Sequence, residues 1–318
     1  MGVDAPLPLT DMSRAPSRSA AFFDHDLVYS FTRSKVTIVA AMVTLIIVVA
    51  AALAPWIAPH DPFDLRQLNL LDSHLPPAWA ADGDRRFLLG TDDQGRDVLS
   101  AILYGARVSL SVGLMSVAFA AVLGIALGLI AGYAGGALDS LIMRAADVQL
   151  TFPAILIALL IDGTIRALSG EARNEETAFW VLVLSIGLSS WVQYARTVRS
   201  STLVEKNKDY VLAARLIGLK PASILFRQLL PNVMGPVLVL ATINLGLAII
   251  LEATLSFLGV GLPPTQPSLG TLISIGNKFL VAGEWWIAIF PGATLAGLVL
   301  AVNLLGDWLR DALNPKLR

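Results

Sequence analysis

Residues 108–134 read VSLSVGLMSVAFAAVLGIALGLIAGYA, an apolar run of 27 residues that contains no charged side chain. A helix needs about 20 such residues to cross the hydrocarbon core of a bilayer. Four further runs of similar length and one shorter run occur elsewhere in the chain, at 36–58, 177–195, 233–258, 285–306 and, for the shorter one, 148–161. The sequence therefore predicts an all-α polytopic membrane protein with six transmembrane helices.

The composition excludes several classes of function. Of the 318 residues, 55% are hydrophobic and 15% are charged, with a mean hydropathy of +0.69. A soluble domain normally carries about 25% charged residues. The net charge of -1 gives no overall basic field for nucleic acid. The chain has no cysteine, which excludes a disulfide framework, a cysteine zinc site and a thiol nucleophile.

Lysine and arginine are unequally divided between the two sides of the predicted membrane. If the N-terminus is inside, the inside segments hold 15 of these residues and the outside segments hold 7. Cytoplasmic loops normally carry the excess of positive charge. Because six spans return the chain to the side on which it began, both termini are predicted to be cytoplasmic.

The predicted spans divide the chain into four parts. Residues 1–30 form a flexible cytoplasmic segment, and residues 31–58 contain the first transmembrane helix. Residues 59–106 form an external loop. Residues 107–318 form the core transmembrane domain, which includes a long cytoplasmic loop at 196–232.

Part of this cytoplasmic loop, residues 209–232, reads DYVLAARLIGLKPASILFRQLLPN and predicts two short helices. Asp209 is expected to cap the first helix, Gly218 to end it, and Pro221 to occupy the first turn of the next. The apolar positions of the first helix recur at helical spacing: Tyr210, Ala213, Ala214 and Ile217. Two interpretations are open, a docking element for a partner outside the membrane and a loop that lies on the lipid headgroups.

The same segment resembles the EAA loop of ABC importer permeases, whose pattern is Glu-Ala-Ala-x3-Gly-x9-Ile-x-Leu-Pro. The positions that match this pattern are Ala213, Ala214, Gly218, Leu230 and Pro231. In that family the loop is a coupling helix that lies in a groove of a cytoplasmic ATPase.

Two positions depart from the EAA pattern, since Leu212 replaces the Glu and Gln228 replaces the Ile. The resemblance nevertheless extends over most of the chain. Residues 89–110, 251–264 and 303–318 are similar to the C-type permease subunit of dipeptide, oligopeptide and nickel ABC importers.

This resemblance implies a type I ABC importer permease in the inner membrane of a bacterium. It implies a heterodimer with a homologous second permease, two ABC ATPase subunits and an extracytoplasmic substrate-binding protein as partners. Di- and oligopeptides are the expected substrates, and a nickel chelate, glutathione or a peptide antibiotic are alternatives. The expected contacts with the ATPase are Tyr210, Ala213, Ala214, Arg215, Gly218, Leu230 and Pro231.

The chain lacks the sequence needed to hydrolyse ATP by itself. A P-loop requires the dipeptide Gly-Lys, which does not occur here. ATP and Mg²⁺ are therefore expected in the partner ATPases, and no catalytic residue, cofactor or metal site is predicted on this chain. A secondary transporter that works alone is a remote alternative, because such proteins usually carry several ionisable groups within their spans.

Glu252 is the one acidic residue inside the run at 233–258. A charged group in mid-bilayer costs about 2.5 to 3.5 kcal/mol on insertion scales, so it should face protein or a water-filled path. Together with Ser256 and Phe257, it is a candidate for the translocation path or an external gate. The alternative is a structural carboxyl group that is hydrogen-bonded to a neighbouring helix.

Two further motifs have structural and functional interpretations. The external loop contains an acidic turn whose charged residues are candidate docking contacts for the binding protein or the second permease: Asp92, Asp93, Arg96 and Asp97. A metal site there is a weaker alternative, since no further ligands are spaced to complete it. Gly124, Gly128 and Gly132 form a stripe for close helix packing, either inside the subunit or at the dimer interface.

Overall fold

The computed structural model describes residues 30–64, 68–169, 175–263 and 265–313, and these residues form helices and connecting turns without a β-strand. Most of the predicted flexible segment at 1–30 and the last residues of the chain, 314–318, lie outside the described residues.

Nine helices of eight or more residues occur in the described part of the chain: α1 Lys35–Ala52, α2 Val98–Ala134, α3 Gly136–Leu150, α4 Ala154–Ser169, α5 Glu175–Glu205, α6 Asp209–Leu216, α7 Leu230–Phe257, α8 Leu269–Asn277 and α9 Trp286–Ala312. Five of them are long and apolar enough to cross a membrane, namely α1, α2, α5, α7 and α9. They correspond to the five long apolar runs.

The predicted sixth span is a bent pair of helices. α3 and α4 meet at an angle of 94°, and the break between them contains Pro153. Proline has no N–H to donate and disfavours helical geometry in the residue before it, so the chain turns here. The described residues thus contain six spans only if this bent pair counts as one.

The predicted boundaries of the first two spans shift in the structure. α1 ends at Ala52, and a separate helical turn, Ala54–Ile57, follows with Pro55 in its first turn. α2 begins at Val98, nine residues before the predicted start of the core domain. The side chain of Asp97 caps it by accepting a hydrogen bond from the Ser100 N–H at 2.9 Å. The final turns of the predicted external loop are therefore helical.

The glycine stripe on α2 packs against α5. A Cβ atom added at each glycine would lie 2.4 to 2.7 Å from the nearest heavy atom of α5, in Tyr194, Ala195 and Thr202 respectively. Real Cβ atoms do not come so close, so the two backbones touch only because these positions lack side chains. This confirms the interpretation that the stripe packs inside the subunit.

The helices give the bundle two ends, which we name after the short helices that they carry. The α6 end holds α6, the start of α1 and the ends of α2, α5 and α9. The α8 end holds residues 58–64 and 68–97, α8 and the starts of α2, α5 and α9. Trp286 joins these elements at the α8 end, because its indole N–H donates to the Thr91 carbonyl at 3.1 Å.

Substitution of a stripe glycine is expected to destabilise the bundle. In Gly128→Ala the new methyl group would lie 2.5 Å from the Ala195 carbonyl oxygen, which forces α2 and α5 apart. Overpacking of this kind costs about 1 to 3 kcal/mol. Thermal unfolding of the purified protein in mild detergent should show a lower transition temperature.

Gly163→Ala on α4 is the matched control, because an added Cβ there meets nothing within 4 Å. Alanine is the better helix former, so this variant should unfold at the wild-type temperature or slightly above it. Equal transition temperatures for the two variants would contradict the packing argument.

Candidate functional site

Local sequence explains the shape of α6. Lys208 has extended dihedral angles and is the N-cap, so the prediction that Asp209 caps the helix is wrong. Asp209 lies in the first turn, where its negative charge still complements the helix dipole. Gly218 ends the helix with a φ of 76°, as predicted. The N–H of Leu219 bonds to the carbonyl of Ala214 at 3.1 Å, which completes a Schellman turn.

The second predicted helix of this segment is continuous with α7. Pro221–Ser223 forms its first turn, and a π-helical stretch, Ile224–Leu229, leads directly into α7. Pro231 explains the wide turns, because it has no N–H for the Arg227 carbonyl and its ring crowds that group. One rod therefore runs from the turn after α6 to Phe257.

The inner face of α6 is anchored to the ends of three long helices. Val211 and Ala214 are buried in a cluster with residues of α2, α5 and α7. The Tyr210 hydroxyl donates to the Glu205 carboxylate of α5 at 2.7 Å, and burial together with this carboxylate raises the pKa of Tyr210 to about 12. The Arg215 guanidinium lies 4.9 Å from the centre of the Tyr133 ring of α2.

The outer face of α6 and the turn after it expose large apolar side chains. We call these four residues the docking face: Leu212, Leu216, Ile217 and Phe226, which are 43%, 88%, 75% and 65% exposed. Exposed basic residues flank them, namely Arg215, Lys220 and Arg227. Large apolar side chains exposed beside polar ones at one end of a protein are typical of an interaction site.

The predicted coupling residues divide between the two faces. Ala213, Arg215, Gly218 and Pro231 are exposed, Tyr210 and Leu230 are partly buried, and Ala214 is buried. Sequence reasoning missed Leu216 and Phe226, and it grouped Ile217 with Tyr210, Ala213 and Ala214 as one apolar stripe. The available signal was the i, i+4 pair of leucines at 212 and 216, which lies on the face opposite to Val211 and Ala214.

At the α8 end, Glu252 connects three helices. Its side chain is fully buried, and its two carboxylate oxygens accept hydrogen bonds from Ser109 of α2 at 2.7 Å and from Ser256 of α7 at 2.6 Å. The Ser109 hydroxyl in turn accepts the backbone N–H of Leu269, the first residue of α8, at 3.2 Å. We call this set the carboxylate clamp.

The clamp lies at the N-terminus of α8. Ser268 caps this helix by accepting the Thr271 N–H at 3.3 Å, and its hydroxyl also neighbours Glu252. A helix N-terminus carries partial positive charge and favours a nearby carboxylate. Gly270 lets α8 lie directly on α7, since an added Cβ would be 2.4 Å from the Ala253 carbonyl oxygen. Within the subunit, Glu252 therefore fixes where α8 begins.

The three predicted gate residues are not equivalent. Glu252 and Ser256 share the clamp, whereas the side chain of Phe257 is 40% exposed at the end of α7. The Phe257 carbonyl still contacts α8, because it accepts the Ser274 hydroxyl at 2.8 Å. The carboxyl group of Glu252 faces protein in this chain, and whether the path lies beside it stays a prediction.

The acidic turn of the predicted docking loop is an internal structure. Asp92 and Arg96 form an ion pair at 2.6 Å, and both side chains are 2% exposed. Asp97 is equally buried, as the cap of α2. These three side chains therefore hold the loop together from inside and offer a partner no surface of their own.

Asp93 is the partly exposed member of this turn. Burial, and then the adjacent Asp92, raise the pKa of the Asp93 carboxyl above its ordinary value. Among the described residues, no three acidic or histidine side chains converge as a metal site would require. The docking role of the loop as a whole stays a prediction.

Comparisons with known proteins agree with this architecture over the whole chain. Residues 124–318 match the family described as binding-protein-dependent transport system inner membrane component. Residues 25–77 match the N-terminal transmembrane domain of oligopeptide transport permease C.

Two curated proteins are similar over nearly their full length. The chain is 38% identical over 311 residues to the dipeptide transport system permease protein DppC of Haemophilus influenzae, with 98% of both chains covered. It is 40% identical over 289 residues to the di/tripeptide transport system permease protein DppC of Pseudomonas aeruginosa, with 91% of both covered.

A solved structure shares the fold. A chain of the inward-facing MetNI methionine ABC transporter superposes with a TM-score of 0.53 at 21% identity. The superposition covers 68% of this chain and 97% of that chain.

Replacement of the clamp carboxyl group by an amide is expected to loosen α8. In Glu252→Gln one of the two serine hydroxyls that donate to the carboxyl oxygens would face an amide NH2, which cannot accept its hydrogen bond, a loss of about 1 to 2 kcal/mol. Amide hydrogen exchange over residues 269–277 should become about 5 to 30 times faster. Thr254→Val is the control on the same helix, because the exposed Thr254 hydroxyl bonds only to the Ile250 carbonyl. Unchanged exchange in Glu252→Gln would contradict the positioning role of Glu252.

Proposed function

The chain belongs to the family of binding-protein-dependent transport system inner membrane components, as the permease subunit of an ABC importer, and from that premise we propose its substrates, partners and mechanism. The predicted all-α fold of a type I importer permease is confirmed by the helices and by the shared fold of the MetNI chain. We propose that this chain and a homologous second permease form the translocation path for di- and oligopeptides. The names of its full-length relatives support this substrate class.

The proposed mechanism begins with the binding of a partner to the docking face. Leu216, the last residue of α6, and Ile217, its C-cap, are exposed, and a partner with an apolar groove would bury them. We assign this groove to the two ABC ATPase subunits, which hold ATP and Mg²⁺ and perform the hydrolysis. ATP binding closes the ATPases and thereby favours the permease conformation that α6 adopts in the closed assembly.

The anchors of α6 transmit this movement into the membrane. Tyr210 and Arg215 tie α6 to α5 and α2, so α6 moves together with the ends of these helices. The rod that contains α7 extends from the turn after α6 to the α8 end. Leu230 and Glu252 are 22 residues apart along it, which is about 33 Å. Displacement at the docking face therefore reaches the carboxylate clamp across the whole bilayer.

The clamp is proposed to control the external gate. α8 begins at the clamp and lies on α7, so a shift of α7 moves the carboxylate relative to the Leu269 N–H and the Ser268 hydroxyl. Glu252, Ser256 and Phe257 then face or border the path in the outward-facing state. Substrate enters there from the extracytoplasmic binding protein, for which residues 58–64 and 68–97 offer the adjoining surface.

The orientation follows from the distribution of basic residues. We propose that the α6 end is cytoplasmic, that both termini are cytoplasmic, and that the membrane is the inner membrane of a bacterium. The basic rim of the docking face agrees with this orientation, since cytoplasmic loops carry the excess of Lys and Arg.

Reconstitution tests the function. The chain is purified with the subunits that accompany it and placed in liposomes together with its substrate-binding protein. Uptake of a labelled dipeptide should require ATP on the ATPase side. Competition by an excess of glutathione or of a nickel chelate, without competition by dipeptides, would assign the alternative substrates. Uptake without ATP would instead show a secondary transporter.

Charge on the docking face is expected to detach the ATPases. Leu216→Glu places a carboxylate where an apolar groove is proposed, and the desolvation of that charge opposes binding. Pull-down from detergent extracts should recover the second permease and less than about a tenth of the ATPase, because more than 1.4 kcal/mol is lost. Leu71→Glu is the control, because Leu71 is 89% exposed at the opposite end. Equal ATPase recovery from both variants would contradict the assignment.

The absence of cysteine allows a direct test of orientation. Val281→Cys at the α8 end, where the side chain is 99% exposed, should react with a membrane-impermeant maleimide in spheroplasts. Leu216→Cys should react only after the membrane is permeabilised. The reverse pattern would place the docking face outside and would overturn the proposed coupling to cytoplasmic ATPases.

A further inference from the structure

An apolar groove runs between α1 and α9 on the outside of the bundle. It has a volume of about 370 Å³ and is lined almost entirely by apolar atoms. Gly297 and Ala301 on α9 and Ala40 on α1 leave the space open, because they carry no side chain beyond a methyl group. Further lining residues are Lys35, Val39 and Val43 on α1 and Leu304 on α9.

The groove extends over half of the membrane. Along α1 it runs from Lys35 to Val43, and along α9 from Leu304 back to Gly297. These segments are about 12 Å and 10 Å long at 1.5 Å per residue. Half of the hydrocarbon core is about 15 Å thick. An occupant is therefore one leaflet deep, as an acyl chain is, whereas a transmembrane helix of another subunit would need a groove along the full length of α1.

The mouth of the groove offers positive charge at the membrane surface. Lys35 is exposed and is the first residue of α1. The side chain of Ser34 caps this helix at the Thr37 N–H, and the helix dipole adds partial positive charge at the same place. On α9 the nearest charged residue beyond the mouth is Asp307, and Arg310 follows one turn later.

We propose that this groove binds a phospholipid of the leaflet at the α6 end. One acyl chain lies between α1 and α9, and the phosphate group lies at Lys35 and the N-terminus of α1. The site is independent of the proposed transport cycle, because none of its residues belongs to the docking face or to the carboxylate clamp.

The lipid would complete a weak helix contact. α1 buries only Thr37, Ala40 and Ala51 among its residues and exposes most of its apolar surface. Since lipid tails are as apolar as the helices, α1 gains little from simple apolar contact and depends on close packing. A lipid that fills the groove supplies the packing that Gly297 and Ala301 leave out.

Native mass spectrometry of the full-length chain, in the assembly in which it purifies, tests the proposal. The protein is delipidated in detergent and titrated with phosphatidylglycerol. Gly297→Leu fills the inner end of the groove, where an added Cβ meets nothing within 4 Å. Gly292→Leu is the matched control on the same helix, because its Cβ is equally unobstructed and it does not line the groove.

Wild type and Gly292→Leu should retain one tightly bound phosphatidylglycerol, and Gly297→Leu should lose it at least tenfold. Lys35→Gln should weaken retention about fivefold, since one Lys near the surface contributes about 1 kcal/mol. All variants should elute as wild type does in size exclusion, which separates loss of lipid from misfolding.

Two results would overturn the proposal. Equal retention in Gly297→Leu and wild type would place the lipid elsewhere. In native membranes, a disulfide between Val39→Cys and a cysteine introduced in a helix of the second permease would show that a protein helix covers the groove.

Discussion

The contact between α2 and α5 is the constraint on which the remaining structure depends. Between helices in a bilayer the hydrophobic effect contributes little, so association requires close packing. The glycine stripe on α2 provides it by bringing the two backbones into contact. At the α6 end two polar contacts add to this packing. The Lys206 ammonium group donates to the Gly132 carbonyl at 2.7 Å, and Arg199 pairs with Asp139 of α3 at 2.5 Å.

α6 is built onto this contact. An isolated helix of eight residues is not stable in water. Here its first turn is tied to Glu205 at the end of α5, and its last turn lies over Tyr133 at the end of α2. A change in the relative position of α2 and α5 would therefore move α6. Any force applied to the docking face acts on the most tightly packed pair of helices in the subunit.

The sequence was sufficient for the five long spans, for the C-terminal end of α6 and for the start of the next helix, because hydropathy and the roles of Gly218 and Pro221 are local properties. It was insufficient for the bent pair. α3 carries Asp139 and Arg144, and these charges hid a helix that packs along α5, so the apolar part at 148–161 looked like a short span. The pairing of Asp139 with Arg199, 60 residues away, is a tertiary contact that no local rule reveals.

For α6 and for the acidic turn, the sequence left different features of the structure undetermined. On α6 both faces are apolar, and only the packing of Val211 and Ala214 against the long helices decides which face is buried. In the acidic turn, the sequence did not reveal that the charged side chains are buried. Asp92 and Arg96 are four residues apart and satisfy each other inside the loop. For Glu252 the charge within an apolar run correctly indicated a partner, but the partners are hydroxyl groups on two other elements.

At the α6 end, a buried apolar cluster and polar contacts together hold α6 from inside, while Leu216 and Ile217 stay exposed. Rigid presentation matters for binding, because side chains and backbone that are already ordered lose less entropy when a partner covers them. The Schellman turn at Gly218 and the anchors at Tyr210 and Arg215 thus prepare the docking face before the partner arrives. Their polar bonds keep the face in place, and the exposed apolar side chains provide the free energy of association.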